Sequence, residues 1–110
     1  MSTSLQQKKT LEMAKKIFPI ARVIENYPLG NRQFLDVYVK DFKIGIEVDG
    51  QQHSVRFHFF NKDESDFQLQ KMLDKKKETI CKELGIMLIR INYDEKVTKE
   101  LILSKLRMVL

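Results

Sequence analysis

Two acids and a histidine close a short apolar run in "IEVDGQQH" (46–53): Glu47 and Asp49 stand two apart, and His53 follows Gly50, Gln51 and Gln52. Carboxylates at i and i+2 of a strand point to one face. A third acid, Asp36, lies upstream in "QFLDVYVK" (33–40). That segment alternates, with Leu35, Val37 and Val39 on one side and Phe34, Asp36, Tyr38 and Lys40 on the other. "KIGIEVD" (43–49) alternates as well, Ile44, Ile46 and Val48 opposing Lys43, Gly45, Glu47 and Asp49. Only Asp41 and Phe42 separate the two runs, which predicts a tight hairpin. In its register Lys40 faces Lys43, Tyr38 faces Gly45 and Asp36 faces Glu47, so three acids share one patch.

A fold gains nothing from such a patch. At about 4 Å and an effective dielectric near 20, two like charges repel by on the order of 4 kcal/mol. A divalent cation relieves this, and hard oxygen ligands suit magnesium. The bland alternative is a solvated face on which Lys40 and Lys43 neutralise the acids. Gly50 permits a close backbone approach, and His53 lies where it could serve as an acid or a base. Lys77 interrupts the apolar stripe Leu69, Leu73, Ile80, Leu84. It is either a snorkelling lysine or a cation aimed from a helix at the acids.

The elements that must position these groups read as follows. Residues 4–18 predict a helix with Ser4 and Gln7 in a capping-box pattern, a stripe of Leu11, Ala14, Ile17 and Phe18, and a stop at Pro19. Residues 20–27 predict a first strand, and "PLGN" (28–31) a turn. After the hairpin comes an irregular stretch at 54–64 containing "FHFF" (57–60), in which His58 is read as a packing residue. A long helix over 65–84 ends at Gly85. The continuous apolar run "IMLIRIN" (86–92) predicts a central strand, and an amphipathic helix over 97–110 closes the chain. The order α-β-β-β-α-β-α, with a helical crossover before the last strand, predicts an α/β fold: a mixed sheet covered by helices.

Composition sets outer bounds. The 110 residues suit one domain, 1–110, and the 43% hydrophobic content suits a globular core. Lysine and arginine outnumber acids 20 to 15, a +5 balance mildly favourable to a polyanion. One cysteine, Cys81, excludes an internal disulfide and a cysteine-rich zinc site. No apolar run approaches the ~20 residues of a membrane span, and "MSTSLQQKK" lacks the apolar segment of a signal peptide. A cytoplasmic protein without membrane contact is expected, in a bacterial or phage-infected cell once the resemblance below is added.

"FLDVYV", "IGIEVDGQQH", "DKKKETICKELG" and "IMLIRIN", in that order, resemble the PD-(D/E)xK nuclease superfamily, in particular its very-short-patch-repair-like branch with the EDxHD homing endonucleases. That branch shows a first-helix glutamate, a hairpin aspartate, E-x-D-G-x-x-H, an Asp-x-x-Arg/Lys helix, a glycine and an arginine-bearing apolar strand. Glu12, Asp36, Glu47, Asp49, Gly50, His53, Asp74, Lys77, Gly85 and Arg90 stand at those positions. The resemblance spans about residues 8–95. It implies a restriction-endonuclease-like fold, Mg²⁺ or Mn²⁺ as cofactor, and DNA as partner. This chain departs from the pattern where Asp49 replaces the lysine two residues after the glutamate, so Lys77, Gln51 or His53 would fill that role. Residues 55–66 look like an insertion, and the separate DNA-binding region of homing relatives is not visible, as in an excised catalytic domain.

The expected function is a magnesium-dependent DNA endonuclease, acting as monomer or homodimer. Asp36 and Glu47, with the Val48 carbonyl, hold the metal. His53 moves a proton, and Lys77 stabilises transition-state charge. Arg56, Lys62, Lys71, Lys75 and Lys76 contact phosphates. Glu12 is either a further site acid or an ordinary surface acid among Lys8, Lys15 and Lys16. The rival readings are a non-catalytic DNA- or protein-binding module that keeps the fold, and an unrelated small mixed protein with solvated acids.

Overall fold

The computed structural model describes residues 4–49 and 64–110. Helix α1 (Leu5–Ile17) begins where the Ser4 hydroxyl accepts the Gln7 N–H at 3.0 Å, satisfying a first-turn donor that would otherwise lack a partner. It ends one residue before Pro19, with the Phe18 N–H donating to the Ala14 carbonyl. Three antiparallel strands follow: β1 (Val23–Gly30), β2 (Gln33–Val39) and β3 (Ile44–Val48). Helix α2 (Glu64–Glu83) leads to β4 (Met87–Ile91), parallel to β3, and α3 (Lys99–Val109) ends the described fold. The sheet order is β1-β2-β3-β4. The chain is therefore a mixed α/β fold with a four-stranded mixed sheet and flanking helices, in the element order expected. Among the described residues no helix is long and apolar enough to cross a membrane.

The two sheet faces carry separate apolar layers. On one, Ala14 of α1 and Ile102 and Leu106 of α3 pack on Val37, Val39, Ile44, Ile46, Ile89 and Ile91. Ile46, Ile91 and Ile102 are fully buried, each worth roughly 1.5–3 kcal/mol over the exposed state. On the other, Cys81 of α2 and Ile86 pack with Leu35 and Tyr38. Gly45 admits this second layer, because a Cβ there would lie 3.1 Å from Leu35 and 3.3 Å from Ile86.

Four expectations are corrected. The first strand begins at Val23 rather than residue 20 and runs through "PLG" to Gly30, so the turn is Asn31–Arg32. Gly30, Asn31 and Arg32 all have positive φ (91°, 53° and 61°). Pro28 is tolerated because β1 is an edge strand whose register shifts just after it. The hairpin keeps its expected register, but its turn is a 3-10 turn at Lys40–Phe42 closed by Lys43 at φ 53°. The apolar run in β4 belongs to an edge strand rather than a central one. Burial by α2 on one face and α3 on the other produces the same continuous pattern. Along α2, Leu69, Leu73 and Leu84 are exposed, while Cys81 is buried.

Candidate active site

The hairpin register sets the two acids together. Val37 pairs with Ile46 and Tyr38 with Gly45, and the same register continued places Asp36 opposite Glu47. Regular pairing stops before them. The Val48 N–H donates to the Asp36 carboxylate at 2.7 Å instead of to a strand carbonyl. Across the β3–β4 ladder the Asp49 N–H donates to the Ile91 carbonyl at 2.9 Å and the Met87 N–H to the Lys43 carbonyl at 2.8 Å. Odd-numbered β3 residues thus face β4, and the backbone groups of Val48 face β2 and Asp36.

Glu47 is buried, 6% exposed. Its Oε1 accepts a hydrogen bond from Lys77 Nζ at 3.0 Å. Desolvation raises the Glu47 carboxyl from 4.5 to about 8, helped by the charge of Asp36 and a hydrogen bond with its carboxyl; Lys77 pulls the other way but does not win. Glu47 therefore holds its proton near neutrality. Among the described residues, the cation hydrogen-bonded to this acid pair is Lys77 of α2, through Glu47. Lys40 and Lys43, at the turn end of the hairpin, are exposed.

Arg90 stands beside Glu47 in the β3–β4 register. Its guanidinium lies 3.2 Å from Glu78 and 3.8 Å from Asp49, so Asp49 is drawn toward β4 and away from a three-acid cluster. Cys81, one turn beyond Lys77, is buried, and burial together with Glu47 pushes its thiol up. That makes it an inert packing group rather than a nucleophile.

Of the remaining expected site residues, Asp74 is half-buried on α2, and Lys71, Lys75 and Lys76 are exposed on the same helix. Glu12 is exposed on α1, which packs against the sheet face opposite α2, and it is not brought to Glu47. A polar α1 side chain that does reach the sheet is Gln7, at β1. It is buried, and its amide donates to Glu25 Oε2 and Asn26 Oδ1, both at 3.2 Å. Sequence reasoning placed Gln7 in a capping box; its position one helical turn before the buried Leu11–Ala14 stripe was the signal for an inward role. Gly50, Gln51, His53, Arg56, His58 and Lys62 lie outside the described residues.

Among the described residues no group of three His, Cys, Asp or Glu side chains converges on a metal position. Two carboxylates set opposite each other on adjacent strands nevertheless fit Mg²⁺, which retains several waters and binds through one or two carboxylates plus substrate oxygens. Asp36, Glu47 and the Val48 carbonyl are the residues that would hold it.

No protein-family model matches the chain, and no solved structure matches it. It is similar to the uncharacterized protein 033L of Invertebrate iridescent virus 3, with 30% identity over 83 residues. It is also similar to the uncharacterized protein 307L of Invertebrate iridescent virus 6, with 29% identity over 73 residues. These matches cover 74% and 66% of this chain, but only 43% and 37% of the two viral proteins. The chain thus spans less than half the length of the curated relatives it matches.

Proposed function

We propose that the chain is a magnesium-dependent DNA endonuclease domain with a restriction-endonuclease-like fold of the PD-(D/E)xK type. The observation that carries this reading is the Asp36–Glu47–Lys77 constellation: a cross-strand acid pair, one member buried, with an ammonium 3.0 Å from it. The lysine that the motif carries two residues after its glutamate is Asp49 here, and Lys77 supplies the charge from α2 instead. A bound Mg²⁺ would polarise the scissile phosphate and acidify an attacking water. Asp36, anchored by the Val48 amide, and Glu47, once deprotonated, would orient it. Lys77, released from its ion pair, would stabilise charge developing on the phosphate. Arg90 would keep Asp49 out of the metal position through its ion pair. Lys71, Lys75 and Lys76 would meet flanking phosphates, and His53 would move a proton.

The test is cleavage of supercoiled plasmid with Mg²⁺, Mn²⁺ or EDTA. Nicked or linear product that needs the metal and is lost in Glu47→Gln supports the reading; metal-independent or absent cleavage overturns it. One observation favours a second reading, a non-catalytic binding module that keeps the fold. Glu47 already holds its proton near neutrality and accepts a hydrogen bond from Lys77, so it is satisfied without a metal ion. DNA binding without cleavage and without metal dependence is the outcome that selects it.

A further inference from the structure

The β1–β2 ladder has a gap opposite the candidate site. Glu25 pairs with Val37 and Tyr27 with Leu35, but the intervening pair, Asn26 and Asp36, is passed over. Asn26 is in the left-handed region at φ 53°. Such a residue in mid-strand cannot maintain the extended alternation of its neighbours. The consequences appear on β2. Leu35, which strict alternation would set beside Val37, packs with Tyr38, Cys81 and Ile86 on the α2 face. In the regular β2–β3 register Val48 would donate to the Leu35 carbonyl, yet its N–H goes to the Asp36 carboxylate at 2.7 Å.

Something must hold Asn26 in this conformation. Gln7 is 7% exposed, and its Nε2 donates to Asn26 Oδ1 and Glu25 Oε2, each at 3.2 Å. This buried amide ties the side chains of two consecutive edge-strand residues to α1, and losing it would leave buried polar groups unsatisfied. Asparagine suits the position because it enters the left-handed region more readily than other residues with a side chain. Backbone strain kept beside a candidate site in this way is a recurrent means of pre-orienting a side chain.

We propose that Asn26, clamped by Gln7, is the positioning residue for Asp36: its left-handed turn opens the ladder so that the Asp36 carboxylate, and not a strand carbonyl, takes the Val48 amide. The sheet distortion and the carboxylate's placement are one device, built from α1 and β1 although the acids sit on β2 and β3. Its bearing on metal binding rests on the nuclease reading; the positioning itself does not.

The experiment separates the two. On the full chain labelled with ¹⁵N and ¹³C, hydrogen-bond scalar couplings are recorded from the Val48 amide nitrogen. The natural chain is expected to show a correlation to the Asp36 side-chain carbon. Asn26→Gly loses the Oδ1 contact but adopts positive φ without the strain a side chain brings, so it needs no clamp and retains it. Asn26→Val, a β-branched residue that resists positive φ, loses it and gains one to the Leu35 carbonyl. Gln7→Leu, which removes the clamp but keeps the helix, also loses it, and it decides the matter if Asn26→Val does not fold. Retention of the Asp36 correlation in folded Asn26→Val, or in Gln7→Leu, overturns the proposal. Mn²⁺ affinity is measured on the same samples. About a 10- to 100-fold loss is expected in Asn26→Val with recovery in Asn26→Gly, the range for groups that orient a metal ligand. A natural chain that binds no Mn²⁺ overturns the metal reading, while the couplings still decide the positioning role.

Discussion

Lys77 Nζ donates to Glu47 Oε1 at 3.0 Å, tying α2 to β3 through side chains that are 19% and 8% exposed. The two residues are thirty positions apart. What joins them is the crossover: α2 carries the chain from β3 to β4 and packs over the sheet face on which Glu47 opens. A lysine at an inward position of that helix reaches Glu47, and a long stem lets an ammonium extend past apolar neighbours.

Lys77→Met keeps the stem and removes the charge. Breaking a buried pair by deleting one partner commonly costs 3–5 kcal/mol, but Glu47 escapes most of that by holding its proton, so the variant is expected to fold at pH 6. Cleavage is expected to fall by roughly 10²–10³-fold, as when one electrostatic stabiliser is lost. Plasmid cleavage alongside circular dichroism checks both, and full activity in a folded variant removes Lys77 from the chemistry.

Asp36 serves as an acceptor for the Val48 amide and as a charge beside Glu47, and two substitutions separate these roles. Asp36→Asn keeps an acceptor oxygen and drops the charge; it should leave stability close to that of the natural chain and lower the Glu47 carboxyl toward its ordinary range. Asp36→Ala also strands the Val48 N–H, which costs about 1–3 kcal/mol. Urea denaturation of the pair measures the difference. Equal stabilities would mean that the Val48 bond contributes nothing.

The hairpin register was legible because period-two alternation and a short connection leave one solution, and that solution sets Asp36 against Glu47. Lys77 was legible by helical period, although the stripe used to find it was only partly right: Leu69, Leu73 and Leu84 are exposed. The edge position of β4 was not legible, since burial on two faces by helices looks the same whether or not a strand has two neighbours. Gln7 was missed because a polar residue near a helix start reads as a cap, and its partners Glu25 and Asn26 become neighbours only through the fold. The diversion of Asp49 to Arg90 depends on a parallel pairing across the α2 crossover, which strand-local patterns do not encode.

Gly45 tests the packing under the site. A methyl group there would press on both Leu35 methyls at 3.1 Å and on Ile86 at 3.3 Å, and Leu35 is fully buried. Gly45→Ala is expected to destabilise by about 1–3 kcal/mol, the usual range for overpacking. A thermal melt that is unchanged or raised would show that the second apolar layer relaxes more readily than its contacts imply.

The last prediction follows from Glu47 itself. Its carboxyl ionises near 8 in the folded chain against 4.5 in the unfolded one, so the folded state binds the proton more tightly. Below pH 4.5 both states are protonated, and the stabilising contribution is fully present. As the pH rises from about 4.5 toward 8, the unfolded state releases its proton first and stability falls; above 8 both states are ionised and the loss levels off. The loss is on the order of a few kcal/mol, set against the gains that other carboxylates make as they ionise in the acid part of the range. Glu47→Gln cannot titrate, so its stability relative to the natural chain should improve between pH 5 and 8. Urea titrations of both proteins across that range give the difference curve, and a flat curve would mean that Glu47 ionises normally. Mg²⁺ enters the same equilibrium from the other side. It requires the ionised carboxyl, so binding should release a proton and tighten as the pH approaches 8, and added Mg²⁺ should recover part of the stability lost by the natural chain while leaving Glu47→Gln unchanged.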